Sequence, residues 1–289
     1  MKSLISFFVL MAIFLTSCTS GPSPVVTVSQ GLSTPESALH DELADLYLVT
    51  NINGTPFGDD GVGYVARFYP DGRPENLKWI DGAKSGVELN APKGMAIVGD
   101  TLYVADVTAV RKFDRTTGAP KGAIVVHGST FLNDLSAAAD GTIYVSDTGL
   151  LAPDFKASKT DAVYAISPNG VVQTVKKSTD LAQPNGLLAG DGDVLMVNWI
   201  DGTLNRLDSG GSVTKLSSLP AAQLDGLVKT KDGVYLISSW AGSCVYSLKD
   251  GVVTLAIPNL PEPADLGYDA KRERLLVPYF KLNKLDVFP

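Results

Sequence analysis

Histidine and cysteine are scarce in this chain, with two of each among 289 residues. His40 and His127 are too few for a histidine-rich zinc site, and neither belongs to a paired serine or cysteine motif. The sequence also lacks a phosphate-cradling glycine loop, a Gly-x-Ser-x-Gly elbow and a His-Glu-x-x-His motif. Nucleophilic serine chemistry and histidine-based zinc chemistry therefore have no support in the sequence.

The N-terminal segment carries the first of the two cysteines. Lys2 precedes a run over residues 4–15 that is apolar except at Ser6 and is too short to span a bilayer comfortably. The run ends in Leu15-Thr16-Ser17-Cys18, which resembles a bacterial lipobox. We predict a lipoprotein signal peptide over residues 1–17, lipidation of Cys18 and a flexible tether over residues 18–24. The alternative is a plain secretory signal with a fortuitous cysteine.

This N-terminal prediction has consequences for cysteine chemistry and location. If Cys18 is acylated, Cys244 has no disulfide partner, and its alternating strand context indicates a small buried residue. The predicted location is the bacterial cell envelope, facing the periplasm or the exterior, with the membrane as a partner through the lipid on Cys18. The formal net charge of −7 argues against nucleic acid as a partner. We expect a monomer.

Glycine, proline and tight-turn signals are abundant, whereas helical periodicity is absent beyond the N-terminus. The chain has 28 glycines and 17 prolines, and Asp-Gly or Asn-Gly pairs recur, as at Asp140-Gly141 and Asn169-Gly170. Such pairs suit tight hairpin turns between strands. The composition therefore predicts an all-β protein.

A short phrase recurs six times, each time where a turn leads into a strand. The six copies are Pro35-Glu36-Ser37-Ala38, Pro92-Lys93-Gly94-Met95, Leu132-Asn133-Asp134-Leu135, Pro184-Asn185-Gly186-Leu187, Leu224-Asp225-Gly226-Leu227 and Pro263-Ala264-Asp265-Leu266. Their second positions, which we call the slot residues, lie 39 to 57 residues apart. A period near 40 residues with four strands per unit is typical of a propeller blade. We predict a six-bladed β-propeller over residues 25–289.

The ring must be closed by the two ends of the chain. The last unit, residues 262–289, offers only about three strands, since four need roughly 40 residues. Residues 25–29, Val-Val-Thr-Val-Ser, have no other partner in sequence. We predict that they form the outer strand of the sixth blade, which removes an exposed sheet edge.

Ring closure would bring the slot residues together on the axis. Glu36, Asn133, Asn185 and Asp225 then supply two carboxylates and two amide carbonyls. Such hard oxygen ligands suit Ca²⁺, which tolerates irregular coordination, better than Mg²⁺. The alternative is a set of solvated, hydrogen-bonded polar groups with no metal.

The ordered phrases resemble those of the senescence marker protein/gluconolactonase family over nearly all of the chain after the signal. The resemblance implies a six-bladed propeller with a catalytic divalent metal that hydrolyses a lactone or similar cyclic ester. It implies Glu36, Asn185 and Asp225 as metal ligands, and Asp225 also as the general base. It implies Asn133 as a residue that lines the substrate pocket.

Two positions depart from that family pattern and leave two hypotheses open. Phe131 stands where sugar-lactone members have an arginine, so a less polar cyclic ester is expected in place of a sugar-acid lactone. Lys93 brings an ammonium toward the same axis, where it would repel a divalent ion or pair with Glu36. We therefore assign Phe131 and Lys93 to substrate binding. The second hypothesis is a non-enzymatic binding propeller, because some phrases also resemble those of NHL-type propellers.

Overall fold

The computed structural model describes residues 21–289, which form six four-stranded antiparallel sheets around a central axis. This is the six-bladed β-propeller that the repeat predicted. Cys18, with the predicted signal peptide and residues 18–20 of the predicted tether, lies outside the described residues. The one helix in the described part of the chain is a 3-10 turn at Thr179–Leu181. No helix within residues 21–289 is long and apolar enough to cross a membrane.

The first three blades follow one another along the chain, after a strand β1 (Val26–Val28) that belongs to the last blade. Blade 1 consists of β2 (Pro35–Asp41), β3 (Leu46–Asn51), β4 (Tyr64–Phe68) and β5 (Pro74–Asp81). Blade 2 consists of β6 (Pro92–Val98), β7 (Thr101–Asp106), β8 (Ala109–Asp114) and β9 (Pro120–Val125). Blade 3 consists of β10 (Leu132–Ala137), β11 (Ile143–Asp147), β14 (Ala162–Ile166) and β15 (Val172–Lys177), with a hairpin of β12 (Leu150–Leu151) and β13 (Lys156–Ala157) inserted between β11 and β14.

The remaining blades complete the ring. Blade 4 consists of β16 (Pro184–Ala189), β17 (Asp193–Asn198), β18 (Thr203–Asp208) and β19 (Val213–Ser218). Blade 5 consists of β20 (Leu224–Lys229), β21 (Tyr235–Ser239), β22 (Cys244–Lys249) and β23 (Val252–Ile257). Blade 6 consists of β24 (Gly267–Asp269), β25 (Arg274–Tyr279), β26 (Lys284–Phe288) and β1.

The sixth blade takes its outer strand from the N-terminal end of the described chain. Strand β1 pairs antiparallel with β26, with Val26 opposite Val287 and Val28 opposite Leu285. Thr27 Oγ1 also donates a hydrogen bond of 2.6 Å to Asp286 Oδ1. The segment is the one that the sequence pattern assigned to this position. The two ends of the chain are thus joined within one sheet, which leaves blade 6 without an unpaired β26 edge.

The hydrophobic core lies between successive blades. One cluster packs Leu48 and Val65 of blade 1 against Met95 and Leu102 of blade 2. Another packs Val28 and Val287 of blade 6 against blade 1. Each large apolar side chain buried in this way contributes about 1.5–3 kcal/mol. Cys244 has no disulfide partner within residues 21–289 and is buried, so it is a small core residue of β22, as the sequence indicated.

A bulge at the start of the innermost strand recurs in blades 1 to 5. In blade 1, Pro35 pairs with Asn51 and Ala38 with Val49, so that Glu36 and Ser37 together oppose Thr50. In blades 1, 3 and 5 a hydroxyl on the second strand accepts the N–H of the second bulged residue at 2.7–2.9 Å. Bulges of this kind redirect side chains and are common next to functional sites. Here they turn the slot residues toward the axis.

Shortening the N-terminus tests the closure of the ring. We expect a protein that begins at residue 31 to melt about 5–10 °C below one that begins at residue 25, because it loses the burial of Val28 and the pairing with β26. Thermal unfolding followed by circular dichroism measures the difference. Both proteins keep Gly31, whose carbonyl accepts the Tyr64 hydroxyl. Equal melting temperatures would contradict the contribution of β1.

Candidate functional site

A cavity of about 440 Å³ opens at one end of the axis, where the innermost strands begin. Five of the six slot residues line it, and the sixth position, Ala264, does not contribute. Phe131 also lines this cavity. The structure therefore brings together every predicted site residue that lies in the described chain: Glu36, Lys93, Phe131, Asn133, Asn185 and Asp225.

Four buried side-chain oxygens in the cavity wall have no hydrogen-bond partner within residues 21–289. One is Glu262 Oε2, whose partner oxygen accepts from Lys281, and the other three belong to slot residues: Glu36 Oε2, Asn185 Oδ1 and Asp225 Oδ1. These three slot residues are only 3–5 % exposed. Because nearly all buried polar groups in proteins are hydrogen-bonded, three unpartnered oxygens in one cavity indicate a ligand with positive charge or several donors. Hard oxygen ligands of this kind fit Ca²⁺.

The composition of this oxygen set matters for a metal. Residues 21–289 contain no group of three or more His, Cys, Asp or Glu side chains arranged to hold a metal ion. The set of Glu36, Asn185 and Asp225 has two carboxylates and depends on the amide oxygen of Asn185 for its third oxygen. The residues present therefore fit a weakly selective, oxygen-coordinated cation better than a tightly held zinc ion.

The electrostatics of the cavity favour the binding of a cation. Burial raises the pKa of Glu36 well above its usual range, and the carboxylates of Asp225 and Asp265 raise it further, while Lys93 partly offsets the effect. Burial and Asp265 likewise raise the pKa of Asp225, against the lowering effect of Trp240 and Asn185. The raised pKa values mean that the empty site disfavours the charged form of both carboxyl groups, and a divalent ion bound there would stabilise that form.

Lys93 neither pairs with Glu36 nor fills the axis. Its Nζ donates a 3.0 Å hydrogen bond to the carbonyl of Ala91 and lies 4.3 Å from the centre of the Phe131 ring. No carboxylate oxygen of the described chain lies within 4.0 Å of it. Burial lowers the pKa of Lys93 to about 8, although the carboxylates of Glu36 and Asp106 oppose this shift. The space beside Glu36 Oε2 therefore stays available to a ligand.

Asn133 is held in place by a short chain of hydrogen bonds. Its Nδ2 donates to Thr148 Oγ1 at 3.0 Å, and the Thr148 hydroxyl in turn donates to the carbonyl of Pro184 at 2.9 Å. Thr148 follows β11, and Pro184 begins β16, so blades 3 and 4 together orient the amide. A fixed amide in the cavity wall suits the positioning of a polar ligand group.

Aromatic side chains line two parts of the remaining wall. Phe131 contacts Phe57, with ring centres 4.9 Å apart, and Phe57 contacts Phe155 at the same separation. Across the cavity, Trp240 lies between Trp199 and Phe280, with ring centres 5.2 Å and 5.1 Å away. Phe155, Trp199, Trp240 and Phe280 line the cavity without having been predicted as site residues, and Phe57 packs behind Phe131 and Phe155. The sequence signal for Phe57 and Phe155 was the long spacing after the first and third slots. These two residues lie in the extra residues that lengthen blades 1 and 3.

A second cavity of about 420 Å³ lies at the opposite end of the axis. Asp134 and Asp265 line it, and each is already hydrogen-bonded. Asp134 accepts from the N–H groups of Leu135 and Leu187, both at 2.6 Å, and Asp265 accepts from the Ser37 hydroxyl at 2.5 Å. Burial raises the pKa of Asp265 to about 7, despite the Ser37 bond. These two carboxylates join inner strands of neighbouring blades.

Neither histidine belongs to the first cavity. His127 is exposed. His40 is buried, and it lines the second cavity. Its ring nitrogens lie 3.1 Å from Asp45 Oδ1 and 3.3 Å from Asp269 Oδ1. His40 therefore links blade 1 to blade 6 and is more constrained than an ordinary strand residue.

Comparison with known structures supports the fold. A gluconolactonase from Xanthomonas campestris matches with a TM-score of 0.68 at 20% identity, over 89% of this chain and 86% of that chain. A streptogramin B lyase matches with a TM-score of 0.64 at 11% identity, over 90% and 95%. A catalytically inactive histidine-to-alanine variant of virginiamycin B lyase from Staphylococcus aureus, solved with quinupristin, matches with a TM-score of 0.60 at 12% identity, over 91% and 97%.

The sequence itself matches no protein-family model and no curated protein. At 11–20% identity, the structural likeness shows the fold alone. The propeller architecture that the sequence resemblance implied is confirmed, and gluconolactonases are among the proteins that share it.

Gly186 offers a test of how the cavity is assembled. A Cβ at this position would lie 2.1 Å from the backbone oxygen of Asp225, so Gly186→Ala must push β16 and β20 apart. We expect Gly186→Ala to lower the free energy of unfolding by about 2–3 kcal/mol, measured by urea denaturation. The control is Gly210→Ala in an exposed turn, where the nearest atom is a side-chain oxygen at 3.3 Å. Equal stability of the two variants would contradict the close approach.

Proposed function

We propose that this protein is a Ca²⁺-dependent hydrolase of a small lactone or cyclic ester. The observation that carries the proposal is the convergence of three unpartnered, buried oxygens, from Glu36, Asn185 and Asp225, on one ligand-sized cavity. A fold shared with a gluconolactonase supports the reaction class. Fold alone does not decide chemistry, so the proposal depends on the cavity.

The cation would be held by Glu36, Asn185 and Asp225. Three protein oxygens are fewer than the six to eight that Ca²⁺ takes, so water and substrate would complete its coordination. When bound, the cation polarises the ester carbonyl and stabilises the negative charge that develops on its oxygen.

The protein's own groups would position the reactants and move a proton. Asp225 Oδ1 is buried in the cavity wall beside the Trp240 and Asn185 side chains, where it is placed to accept a proton from the attacking water. The water oxygen bonds to the carbonyl carbon, the ring carbon–oxygen bond breaks, and the proton passes to the ring oxygen. The product is the open-chain hydroxy acid. Asn133, held by Thr148, would orient the ester.

The cavity wall indicates the polarity of the substrate. Phe131 replaces the arginine that the family resemblance places there, and Trp199, Trp240 and Phe280 line the other side. Aromatic rings bind apolar faces and satisfy few hydroxyl groups. A compact cyclic ester with an apolar ring face therefore fits better than a polyhydroxylated sugar-acid lactone.

Two other functions are less well supported by the cavity. The inactive virginiamycin B lyase variant carries a histidine replacement, whereas no histidine of residues 21–289 lines the cavity of this chain. A non-enzymatic binding propeller would be favoured by a Lys93 that pairs with Glu36 and closes the axis. Lys93 contacts Ala91 and Phe131 instead, which favours the hydrolase.

Calcium binding and lactone hydrolysis test the proposal together. We expect Ca²⁺ at a hundred times its Kd to stabilise the protein by about 2.7 kcal/mol, seen as a rise of several degrees in melting temperature. Glu36→Gln should abolish this rise. In a panel of small lactones, we expect activity that a chelator removes and that Asp225→Asn lowers by about 100-fold or more.

The matched control for Glu36→Gln is Glu75→Gln. Glu75 lies on the outer strand β5 and forms a salt bridge of 2.9 Å with Arg67, far from the axis in its blade. This variant should keep both the calcium response and the activity. A wild-type protein that shows no thermal response to Ca²⁺ and hydrolyses no lactone of the panel would refute the proposal.

We also propose that the protein is a monomer, anchored to the bacterial envelope through a lipid on Cys18. The support for the anchor is the Leu15-Thr16-Ser17-Cys18 motif in the sequence. Mass spectrometry of protein expressed in a bacterium should show a diacylglycerol-modified Cys18 as the first residue, and Cys18→Ser should release the protein from membranes. Recovery of both proteins in the soluble fraction would refute the anchor.

A further inference from the structure

Lys93 is a buried ammonium whose hydrogen-bonding capacity is mostly unused. The residue is 1 % exposed, and its Nζ has one hydrogen-bond acceptor in the described chain, the carbonyl of Ala91. An ammonium has three donors, so two have no acceptor within residues 21–289. Burying a charge without full pairing is costly, and proteins keep such groups mainly where a ligand completes them.

The same blade shows how a purely structural buried cation is treated. Arg111 on β8 donates from Nε to Asp106 Oδ2 at 2.8 Å and from Nη1 to Glu88 Oε2 at 2.6 Å. Asp106 also accepts the N–H groups of Asn90 and Ala91. The nearby carboxylate is therefore already occupied by Arg111 and the backbone, and Lys93 is left without an anionic partner.

Lys93 is held in position before any ligand binds. Its Nζ lies over the face of Phe131, 4.3 Å from the ring centre, and Phe131 packs against Phe57 and Phe155. A cation over an aromatic face gains electrostatic energy without using its hydrogen-bond donors. The ammonium is thus fixed in the cavity wall, with donors still available and with little ordering cost on binding.

The other lysine of the cavity differs in these respects. Lys281 stands at the rim with its side chain 70 % exposed, and it pairs with Glu262 at 2.5 Å. An anion at the rim would compete with Glu262 and with water. The buried position beside Phe131 is therefore the place where the cavity can discriminate an anion from a neutral group.

We propose that Lys93 is a specificity residue that binds a carboxylate on the substrate, so that the preferred substrate is a small cyclic ester bearing a free acid group. This inference rests on the proposed hydrolase function. The ring of the ester would lie against the aromatic wall, its carbonyl toward Glu36, Asn185 and Asp225, and its carboxylate toward Lys93 and Phe131. The reaction that supplies such a substrate would then be one that yields a lactone acid, and the product would be a hydroxy diacid.

A matched pair of substrates tests the proposal. The probes are γ-butyrolactone-γ-carboxylate and the corresponding carboxamide, which differ in charge and little in shape. We expect the wild type to show a lower KM for the carboxylate, and Lys93→Met to raise that KM by about 10- to 100-fold while the KM for the carboxamide changes by less than about threefold. Lys93→Arg should keep the preference for the carboxylate.

The control replaces a lysine of similar local geometry outside the cavity. Lys229 is exposed, and its Nζ lies 5.3 Å from the centre of the Tyr235 ring. Lys229→Met should keep the wild-type preference. Thermal melting followed by circular dichroism verifies that each variant is folded. If Lys93→Met is unfolded, the substrate preferences of Lys93→Arg and of the wild type test the proposal.

A binding experiment separates this inference from the hydrolase proposal. The probes for calorimetry are cyclopentanecarboxylate and cyclopentanecarboxamide, neither of which is an ester. The wild type should bind the carboxylate, and Lys93→Met should bind it at least about tenfold more weakly than the wild type does. If this pattern holds while no lactone is hydrolysed, the anion site stands and the hydrolase proposal fails. Lactone hydrolysis without a carboxylate preference would overturn the role of Lys93 and leave the hydrolase.

One alternative role for Lys93 has a different signature. If Lys93 served only to balance the charge of Glu36, Lys93→Met would alter the KM for the carboxylate and for the carboxamide alike and would change the calcium response. That result would overturn the proposal.

Discussion

The close approach of neighbouring inner strands around the axis is the constraint on which the structure depends. Added Cβ atoms at Gly94, Gly186 and Gly226 would lie 2.1–2.3 Å from atoms of the next blade. The glycine after the slot allows this approach, and the bulge that the slot residue forms with this glycine turns the slot side chain inward. Because the strands meet so closely, successive slot side chains that are 40 to 57 residues apart in sequence line one small cavity.

The same approach creates an electrostatic imbalance that packing cannot remove. Glu36 and Asp225 share the axis with Asp134 and Asp265, and burial raises the pKa of each of these carboxyl groups. Lys93 is too distant for a salt bridge, so it offsets only part of the negative charge. Asp134 and Asp265 are satisfied by hydrogen bonds between blades, whereas oxygens of Glu36 and Asp225 are not. A ligand therefore gains the most binding energy at the end of the axis where the oxygens of Glu36 and Asp225 have no partner. The same unpartnered oxygens lower the stability of the protein when no ligand is bound.

The polar axis and the aromatic wall have different structural origins. Slot residues come from the regular repeat, whereas Phe57 and Phe155 come from the long connection between β3 and β4 and from the β12–β13 hairpin. Phe57 and Phe155 pack against Phe131, whose ring face in turn contacts Lys93. A common propeller core can thus keep the axial oxygens while its loops set the shape and charge preference of the cavity.

The sequence by itself determined the architecture, because turn chemistry and strand alternation are local and the repeat makes them coincide six times. It also indicated the closing strand β1 and the slot residues that meet on the axis. Only the tertiary structure decided that Lys93 contacts Ala91 and Phe131 and leaves Glu36 unpaired, that Phe155 and Trp240 complete the wall, and that His40 joins Asp45 and Asp269. Local pattern specifies which face of a strand a side chain occupies. Distances between side chains on different blades depend on bulges, insertions and packing that no short stretch of sequence encodes alone.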